Sequence, residues 1–294
     1  MAIMVICAYW VLIAGYTLSE VTTKTIIWEI NRYLPVRKIY MPDTSFEKDI
    51  KAFIDEELID DVVGELKSGK EATVYLAHKN NQLLAIKHYR PMLGRHFANA
   101  AKYREGRFMK ERDARAFVKR SRYGRQVAQV SWIKAEYSMI WRLHNHKLPV
   151  PKPIAHKGTS ILMEFIADKP LSESPADRLI DVQLTQQEAK HFHVTLMRAI
   201  VGMMKINIIH ADLSAYNILV RHVDSTTEKN KTIREPVIID FPQAVDPRSN
   251  KAALELLEHD VNTITQHLQK YDKNIDQHNL VSKLWNLFTE GKLG

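Results

Sequence analysis

Two acidic residues and one asparagine stand beside short apolar runs in the second half of the chain. Asp212 and Asn217 are five residues apart, and Asn217 leads directly into the apolar run 218–220. Asp240 follows a second apolar run at 237–239. Apolar runs of this length are typical of buried strands. The fold would therefore hold Asn217 and Asp240 at strand ends, with Asp212 in the loop before Asn217.

These three residues carry the oxygen atoms that a phosphoryl-transfer site needs. Magnesium prefers a few carboxylate or amide oxygens and completes its shell with water and substrate phosphates. An Asp that accepts the proton of the attacking hydroxyl and a later Asn that holds a metal form the kinase catalytic loop. The pattern predicts that Asp212 is the base and that Asp240 holds magnesium, in a protein that uses ATP. The alternative is that both Asp residues only cap helices or form turns.

The segment 64–71 nearly matches the P-loop pattern of nucleotide-binding proteins. Glu71 stands where that pattern requires Ser or Thr to bind magnesium. A β-branched run follows, although a P-loop needs a helix N-terminus there for its anion site. We therefore reject a P-loop NTPase. A turn between two strands can still lay backbone N–H groups over phosphates, and Gly69 permits a close approach.

Lys87 ends the sequence Leu-Ala-Ile-Lys, which matches the kinase strand that pairs a lysine with ATP phosphates. Its carboxylate partner should lie on the following helix. Glu136 is the natural choice because it is the only acid between Asp113 and Glu164. The alternatives are an ordinary edge-strand lysine and a surface salt bridge.

The order of elements predicts an α+β fold with two lobes and a ligand in the cleft between them. The predicted elements are a helix at 45–58 with Ser45 as N-cap, strands at 62–66, 72–77 and 83–89 with a turn at Asn80-Asn81, a helix at 132–143, a stiff proline-rich linker at 149–153, a strand at 161–166, and mostly helices from Gln183 onward. We place the N-lobe at 41–166 and the C-lobe at 167–294.

Positive charge is concentrated in a basic insert at 90–125. It holds twelve Lys and Arg residues against three acids, a net charge of +9, while the whole chain has +8. Such a segment can contact RNA or a ribosomal particle through its charge. It can equally be a solvated, flexible insert.

The first 40 residues form an apolar N-terminal extension. Residues 1–18 are almost wholly apolar but short of the roughly 20 residues needed to span a membrane. Four basic residues between 24 and 38 would leave the remainder in the cytoplasm if the segment is an anchor. The other interpretations are a wrongly chosen start codon, with Met41 as the natural beginning, and a packed soluble element. The single cysteine, Cys7, excludes a disulfide framework and a thiolate zinc site.

Together these motifs resemble the RIO-type atypical serine/threonine protein kinases, most closely the bacterial single-domain members. The loop at 68–75, the segment 210–214 with Asn217, and the segment 239–243 look like that family's phosphate, catalytic and metal loops. The basic insert is similar to the one these kinases carry before the third helix. The resemblance covers about residues 59–293.

The resemblance implies a two-lobed protein-kinase-like fold that binds ATP and Mg²⁺, with Mn²⁺ as the alternative metal. Lys87 would pair with the phosphates and with Glu136, Asp212 would be the base, and Asn217 and Asp240 would bind the metal. Asp240 would also be a candidate phosphoacceptor. The implied nucleotide-binding residues are Ser68, Gly69, Lys70 and Val74 in the phosphate loop, and Met163, Glu164 and Ile166 at the adenine.

The chain departs from ordinary protein kinases after Asp240. No Ala-Pro-Glu follows, and residues 242–252 are too few for a peptide-holding activation segment. Autophosphorylation and ATP hydrolysis therefore stand beside phosphorylation of another protein, and a role in ribosome assembly is implied by relatives. The alternatives of other classes are a small-molecule phosphotransferase of the aminoglycoside-kinase type and an RNA-binding pseudokinase.

Overall fold

A computed structural model describes residues 44–90, 122–170, 172–224, 232–276 and 279–293, with side chains in the second range from residue 129 onward. Residues Ser45–Gly294 form one compact unit. The predictions for the N-terminal extension and for most of the basic insert lie outside the described residues. Within the described ranges, we find no helix with both the length and the apolar character needed to cross a membrane.

A five-stranded antiparallel sheet forms the first part of this unit, in the order β1-β2-β3-β5-β4. Its strands are β1 (Asp61–Ser68), β2 (Ala72–Lys79), β3 (Gln82–Tyr89), β4 (Pro153–Lys157) and β5 (Ser160–Glu164). The three strands predicted before Arg90 and the Asn80-Asn81 turn are confirmed. Strand β4 was not predicted, because the proline-rich segment before it suggested only a linker.

Two helices pack on this sheet. Helix α1 (Thr44–Asp55) buries Phe46, which stacks on Tyr75 of β2 at 4.2 Å between ring centroids. Helix α2 (Arg122–Asn145) places Trp132 edge-on to Tyr89 of β3 at 5.1 Å. The prediction of Ser45 as N-cap is wrong, since Thr44 already belongs to α1. Burial of large aromatic side chains fixes both helices to the sheet.

The second part of the unit is mostly helical. Its elements are β6 (Asp177–Arg178), α3 (Gln186–Lys205), β7 (Ile218–Asp224), β8 (Thr232–Ile238), α4 (Ala253–Leu268) and α5 (Leu280–Thr289). Helix α3 begins with a capping box in which Thr185 and Glu188 bond each other's backbone N–H groups. Helix α3 buries one apolar face, since Phe192, Leu196 and Met203 lie in the core with Ala199 and Ile200.

A small sheet, in the order β6-β7-β8, carries the polar residues of the second half. Asn217 immediately precedes β7, and Asp240 lies two residues beyond β8. The Ile239 amide donates to the Asn217 carbonyl at 2.9 Å, which joins the two loops. The prediction that strands hold these side chains at their ends is confirmed. The lobe boundary at 166/167 stays a prediction.

Candidate active site

Lys87 and Glu136 meet between β3 and α2, as predicted. Lys87 Nζ donates to Glu136 Oε1 at 3.1 Å. Only 2% of the Glu136 side chain and 17% of the Lys87 side chain are exposed, so this is a buried ion pair. Val74 pairs directly with Lys87 in the sheet, which places the two predicted residues side by side.

Lys87 Nζ also donates to Asp240 Oδ1, at 2.7 Å. Lys87 therefore joins the first sheet to the loop after β8. Asp240 has φ 71°, in the left-handed region that residues other than Gly rarely adopt. Such a conformation persists only where its surroundings enforce it, and such positions cluster at functional sites.

The charges of Lys87, Glu136 and Asp240 shift one another's pKa values. Burial lowers the pKa of Lys87, but the carboxylates of Glu136 and Asp240 outweigh it and hold that pKa well above its ordinary value. The Lys87 ammonium in turn lowers the pKa of Asp240, against the effect of burial. Burial raises the pKa of Glu136 despite the opposing charge of Lys87. Lys87 is therefore a firmly protonated cation at neutral pH.

Asp212 lies in the loop before β7 and faces solvent. The Asn217 amide Nδ2 donates to Asp212 Oδ2 at 3.2 Å and to the Asp212 carbonyl at 2.9 Å. Partial removal of the carboxylate from water raises the pKa of Asp212, and the charge of Asp240 adds to that effect, while Asn217 opposes it. A carboxylate with a raised pKa is a better proton acceptor, as a general base requires.

Asp260 of α4 holds the backbone of this loop, and sequence reasoning missed it. Its two carboxylate oxygens accept from the Ala211 and Leu213 amides, each at 2.8 Å. Burial raises the pKa of Asp260 to about 7, although both backbone hydrogen bonds oppose the rise. Ala211 has φ 65°, so the loop is bent sharply just before Asp212. Asp260 therefore holds the backbone on both sides of Asp212 and so fixes the direction of the Asp212 side chain.

His210 is wholly buried beside the loop and packs against Phe241 at 4.8 Å between ring centroids. Its Nε2 donates to the Ile239 carbonyl at 3.2 Å. Burial lowers the pKa of His210 to about 4, so the ring is neutral at pH 7. This ring joins the two loops and orders their backbones, in line with its omission from the predicted catalytic residues.

The predicted phosphate loop is the exposed turn between β1 and β2. The Gly69 amide donates to the Ala72 carbonyl at 2.9 Å, and a Cβ at Gly69 would lie 3.2 Å from that same oxygen. The Ser68 hydroxyl accepts a bond from Arg90, and Lys70 is exposed. The turn is tight at Gly69, and it presents Lys70 to solvent.

The three residues predicted at the adenine lie at and beyond the end of β5, in different surroundings. Met163 is partly buried and pairs with Ala85 of β3. Ile166 is buried with Val237. Glu164 instead forms an ion pair with Arg221 Nη1 of β7 at 3.0 Å. The Glu164 side chain therefore ties the connection between the two sheets to β7.

The predicted magnesium ligands, Asn217 and Asp240, are brought to neighbouring loops. Asn217 directs its Nδ2 to Asp212, which leaves its amide oxygen on the opposite side. Across the described ranges, no group of three or more His, Cys, Asp or Glu side chains is placed to hold a metal ion. A site of two protein oxygens fits magnesium, which takes its other ligands from water and phosphates.

The chain is similar to known serine/threonine-protein kinases. A family model described as the RIO domain matches residues 73–280. Serine/threonine-protein kinase RIO1 of Caenorhabditis elegans is 30% identical over 208 residues, which cover 70% of this chain and 37% of that protein. RIO-type serine/threonine-protein kinase Rio1 of Thermoplasma acidophilum is 30% identical over 145 residues, 49% of this chain and 67% of that protein. The chain spans less than half the length of the Caenorhabditis elegans relatives it matches.

A solved structure, the Rio2 kinase of Chaetomium thermophilum, superimposes with a TM-score of 0.60 at 18% identity. The match covers 80% of this chain and 66% of that chain. At this identity the likeness shows the fold alone. It confirms the predicted two-lobed, protein-kinase-like α+β fold.

Proposed function

Because the chain belongs to the RIO domain family, we propose that it is an ATP- and magnesium-dependent serine/threonine protein kinase. The observation that carries the proposal is the position of Lys87 Nζ, 3.1 Å from Glu136 and 2.7 Å from Asp240. This contact joins a buried strand lysine to the loop that bears the predicted metal ligand. Phosphoryl transfer depends chiefly on positioning and charge neutralisation, and this arrangement supplies both.

Each residue takes a distinct part in the proposed reaction. Lys87 binds the nucleotide phosphates, and the turn at Gly69 covers them. Asn217 and Asp240 would hold magnesium, with Mn²⁺ as the alternative, and the metal would supply charge neutralisation of the phosphates. Asp212 accepts the proton of the attacking hydroxyl. Because Asp212 is exposed, a substrate hydroxyl can reach it.

Asp240 has a second proposed role as a phosphoacceptor. A solved structure described as the Rio2 kinase-ADP/Mg2+-phosphoaspartate complex of Chaetomium thermophilum matches 91% of this chain, with a TM-score of 0.60. That complex contains a phosphorylated aspartate. By likeness of fold, a cycle of ATP hydrolysis through Asp240 is the alternative outcome of the same site.

The proposed partner of the basic insert at 90–125 is RNA or a ribosomal particle. The proposed location of the domain is the cytoplasm. Neutralising Arg112, Arg115, Lys119 and Arg120 should flatten the salt dependence of RNA binding, since each phosphate contact contributes about one unit of slope. Binding to an RNA duplex would be titrated between low and moderate salt. An unchanged slope would leave the insert as a solvated segment only.

The proposed function is tested by incubating the full chain with magnesium and γ-labelled ATP, alone and with a generic basic protein. Acid-stable label on serine or threonine supports the kinase. Label released by hydroxylamine identifies an acyl-phosphate and the hydrolytic cycle, with Asp240→Asn as the control that abolishes it. A folded protein that neither takes up label nor releases phosphate would overturn the proposal and favour a non-catalytic binding module.

A further inference from the structure

Tyr89 is the last residue of β3 and lies on the same face of the strand as Lys87, since alternate residues share a face. Only 1% of its surface is exposed. The Tyr89 amide donates to the Thr159 carbonyl at 2.9 Å, which fixes its backbone against the turn that precedes β5. Its ring lies edge-on to Trp132, which precedes Glu136 by four residues on α2. Strand and helix therefore hold the ring from two sides.

The Tyr89 hydroxyl donates to Glu136 Oε2, while Lys87 Nζ bonds the other oxygen of that carboxylate. Lys87 Nζ also lies 4.9 Å from the centre of the Tyr89 ring. Burial and the charge of Glu136 raise the pKa of Tyr89 well above its ordinary value, so the hydroxyl keeps its proton and acts as a donor. The three side chains form one bonded group.

Tyr89 bears on the reaction because Lys87 is shared by two carboxylates. Asp240 is the more exposed of the two carboxylates, with 44% of its side chain exposed against 2% for Glu136, and as a metal ligand it would share its charge with the metal. Glu136 then remains as the buried partner of the ammonium. The direction in which Lys87 points therefore depends on how firmly the Glu136 carboxylate is held.

We propose that Tyr89 is a positioning residue, whose hydroxyl fixes the Glu136 carboxylate so that Glu136 aims Lys87 at the nucleotide phosphates. This inference rests on the proposed function. Tyr89 acts through Glu136 in this proposal: its hydroxyl bonds that carboxylate, while its ring, which lies 4.9 Å from Lys87 Nζ, is kept in a Tyr89→Phe variant. That distinguishes it from a residue that merely fills the core, because its effect must vanish when Glu136 can no longer hold Lys87 by charge.

The test is a double-mutant cycle of Tyr89→Phe and Glu136→Gln in the full chain. Phe keeps the ring and its contact with Trp132 and removes only the hydroxyl. Tyr89→Phe alone should lower kcat/KM for ATP by about tenfold, and it should add no further loss in the Glu136→Gln background, as coupled contacts require. Losses that simply multiply, or an unchanged kcat/KM in the single variant, would overturn the proposal.

Tyr137→Phe is the matched control. Tyr137 lies one residue after Glu136 on α2. Its hydroxyl donates to the Ile154 carbonyl at 3.1 Å and not to Glu136. Both Phe variants remove one tyrosine hydroxyl from the packing of the same helix, and thermal melting of each gives the stability lost apart from the kinetics. Only Tyr89→Phe should change the kinetics. An equal kinetic loss in Tyr137→Phe would attribute the effect to packing and refute the positioning role.

A second measurement separates this inference from the proposed function. Acetic anhydride labelling of Lys87, followed by mass spectrometry and normalised to exposed Lys51, reports how firmly the ammonium is held without any nucleotide. Lys87 should react several times faster in Tyr89→Phe than in the natural protein or Tyr137→Phe, because only that variant loses a contact that is coupled to the Lys87–Glu136 pair. Equal rates would overturn the positioning role. If the natural protein transferred no phosphate while Lys87 still labelled faster in Tyr89→Phe, only the proposed kinase activity would be refuted.

Discussion

Glu136 and Asp212 are both carboxylates of the candidate active site, but they stand in opposite surroundings. Glu136 is buried, with Lys87 on one oxygen and Tyr89 on the other. Asp212 is exposed, and the bond from Asn217 reaches one of its oxygens. The buried region, formed by Lys87, Glu136 and Tyr89, has its hydrogen bonds in place before anything binds. The exposed region, the loop with Asp212 and Asn217, presents a proton acceptor to solvent. The first is built to hold a cation in place and the second to meet an incoming group.

The largest effect should come from the exposed region. Asp212→Ala removes the proposed base and should lower phosphoryl transfer by about 10²–10⁴-fold, the usual contribution of a general base. The fold should be unaffected, because the side chain is exposed and Asn217 keeps its bond to the backbone carbonyl at residue 212. Transfer from γ-labelled ATP and thermal melting measure the two effects. Near-normal activity would mean that the base has been misassigned.

The two regions also differ in how visible they are in the sequence. Lys87 and Glu136 could be paired because a strand signature marks the lysine and Glu136 is the only acid in the stretch after Asp113. Tyr89 carried a usable signal too, since strand alternation places it beside Lys87. Asp212 and Asn217 were marked by their spacing, and the strand after them was marked by its apolar run. These residues depend on local pattern, which a single sequence contains.

Asp260 shows what local pattern cannot reveal. It lies 49 residues from Ala211, and nothing in the sequence of α4 distinguishes it from the other acids of that helix. The bond between Glu164 and Arg221 was hidden in the same way, because 57 residues separate them. Strand β4 was missed for a different reason, since prolines before it suggested a linker. Contacts across the fold decide all three.

Asp260→Ala tests whether the exposed loop needs a buried support. The variant leaves the Ala211 and Leu213 amides without their carboxylate, at a cost of about 1–3 kcal/mol for each buried group left unbonded. We expect the free energy of unfolding to fall by roughly 2–6 kcal/mol, with activity falling too. Urea unfolding measures it, and Glu258→Ala, an exposed acid two residues earlier, is the control. Equal stability of the two variants would contradict the supporting role.

Asp260 should also shape the dependence of stability on pH. Its pKa is about 7 in the folded protein, against an ordinary value of 3.8. Between these values the folded state binds more protons than the unfolded state, so this group makes stability fall as pH rises from about 4 to about 7. The slope is at most about 1.4 kcal/mol per pH unit. Asp260→Ala should remove this part of the slope, and a variant with the unchanged slope would contradict it.

Asp240 lies between the two regions, since it contacts Lys87 and neighbours Asn217. Asp240→Asn should weaken Mg²⁺-dependent ADP binding about tenfold, or about 1.4 kcal/mol, because a charged metal ligand is lost. ADP binding without magnesium should not weaken, because Lys87 loses only its Asp240 partner and becomes more available to the phosphates. Calorimetric titration with and without magnesium separates the two effects. An unchanged affinity for ADP with magnesium would refute the ligand role.

Glu188 and Arg234 form an ion pair away from both regions and provide a baseline for changes in pH. Bonds from Arg234 lower the pKa of Glu188 to about 2, against an ordinary value of 4.5. The stabilisation is therefore complete above about pH 4.5 and lost as pH falls toward 2. Because the pair is partly exposed, we expect Glu188→Gln to cost only about 1 kcal/mol at pH 7 and less at pH 3, with kinase activity unchanged. Urea unfolding at both pH values measures this cost. An equal cost at pH 7 and pH 3 would show that the charge of Glu188 contributes nothing and that only its capping bond stabilises the protein.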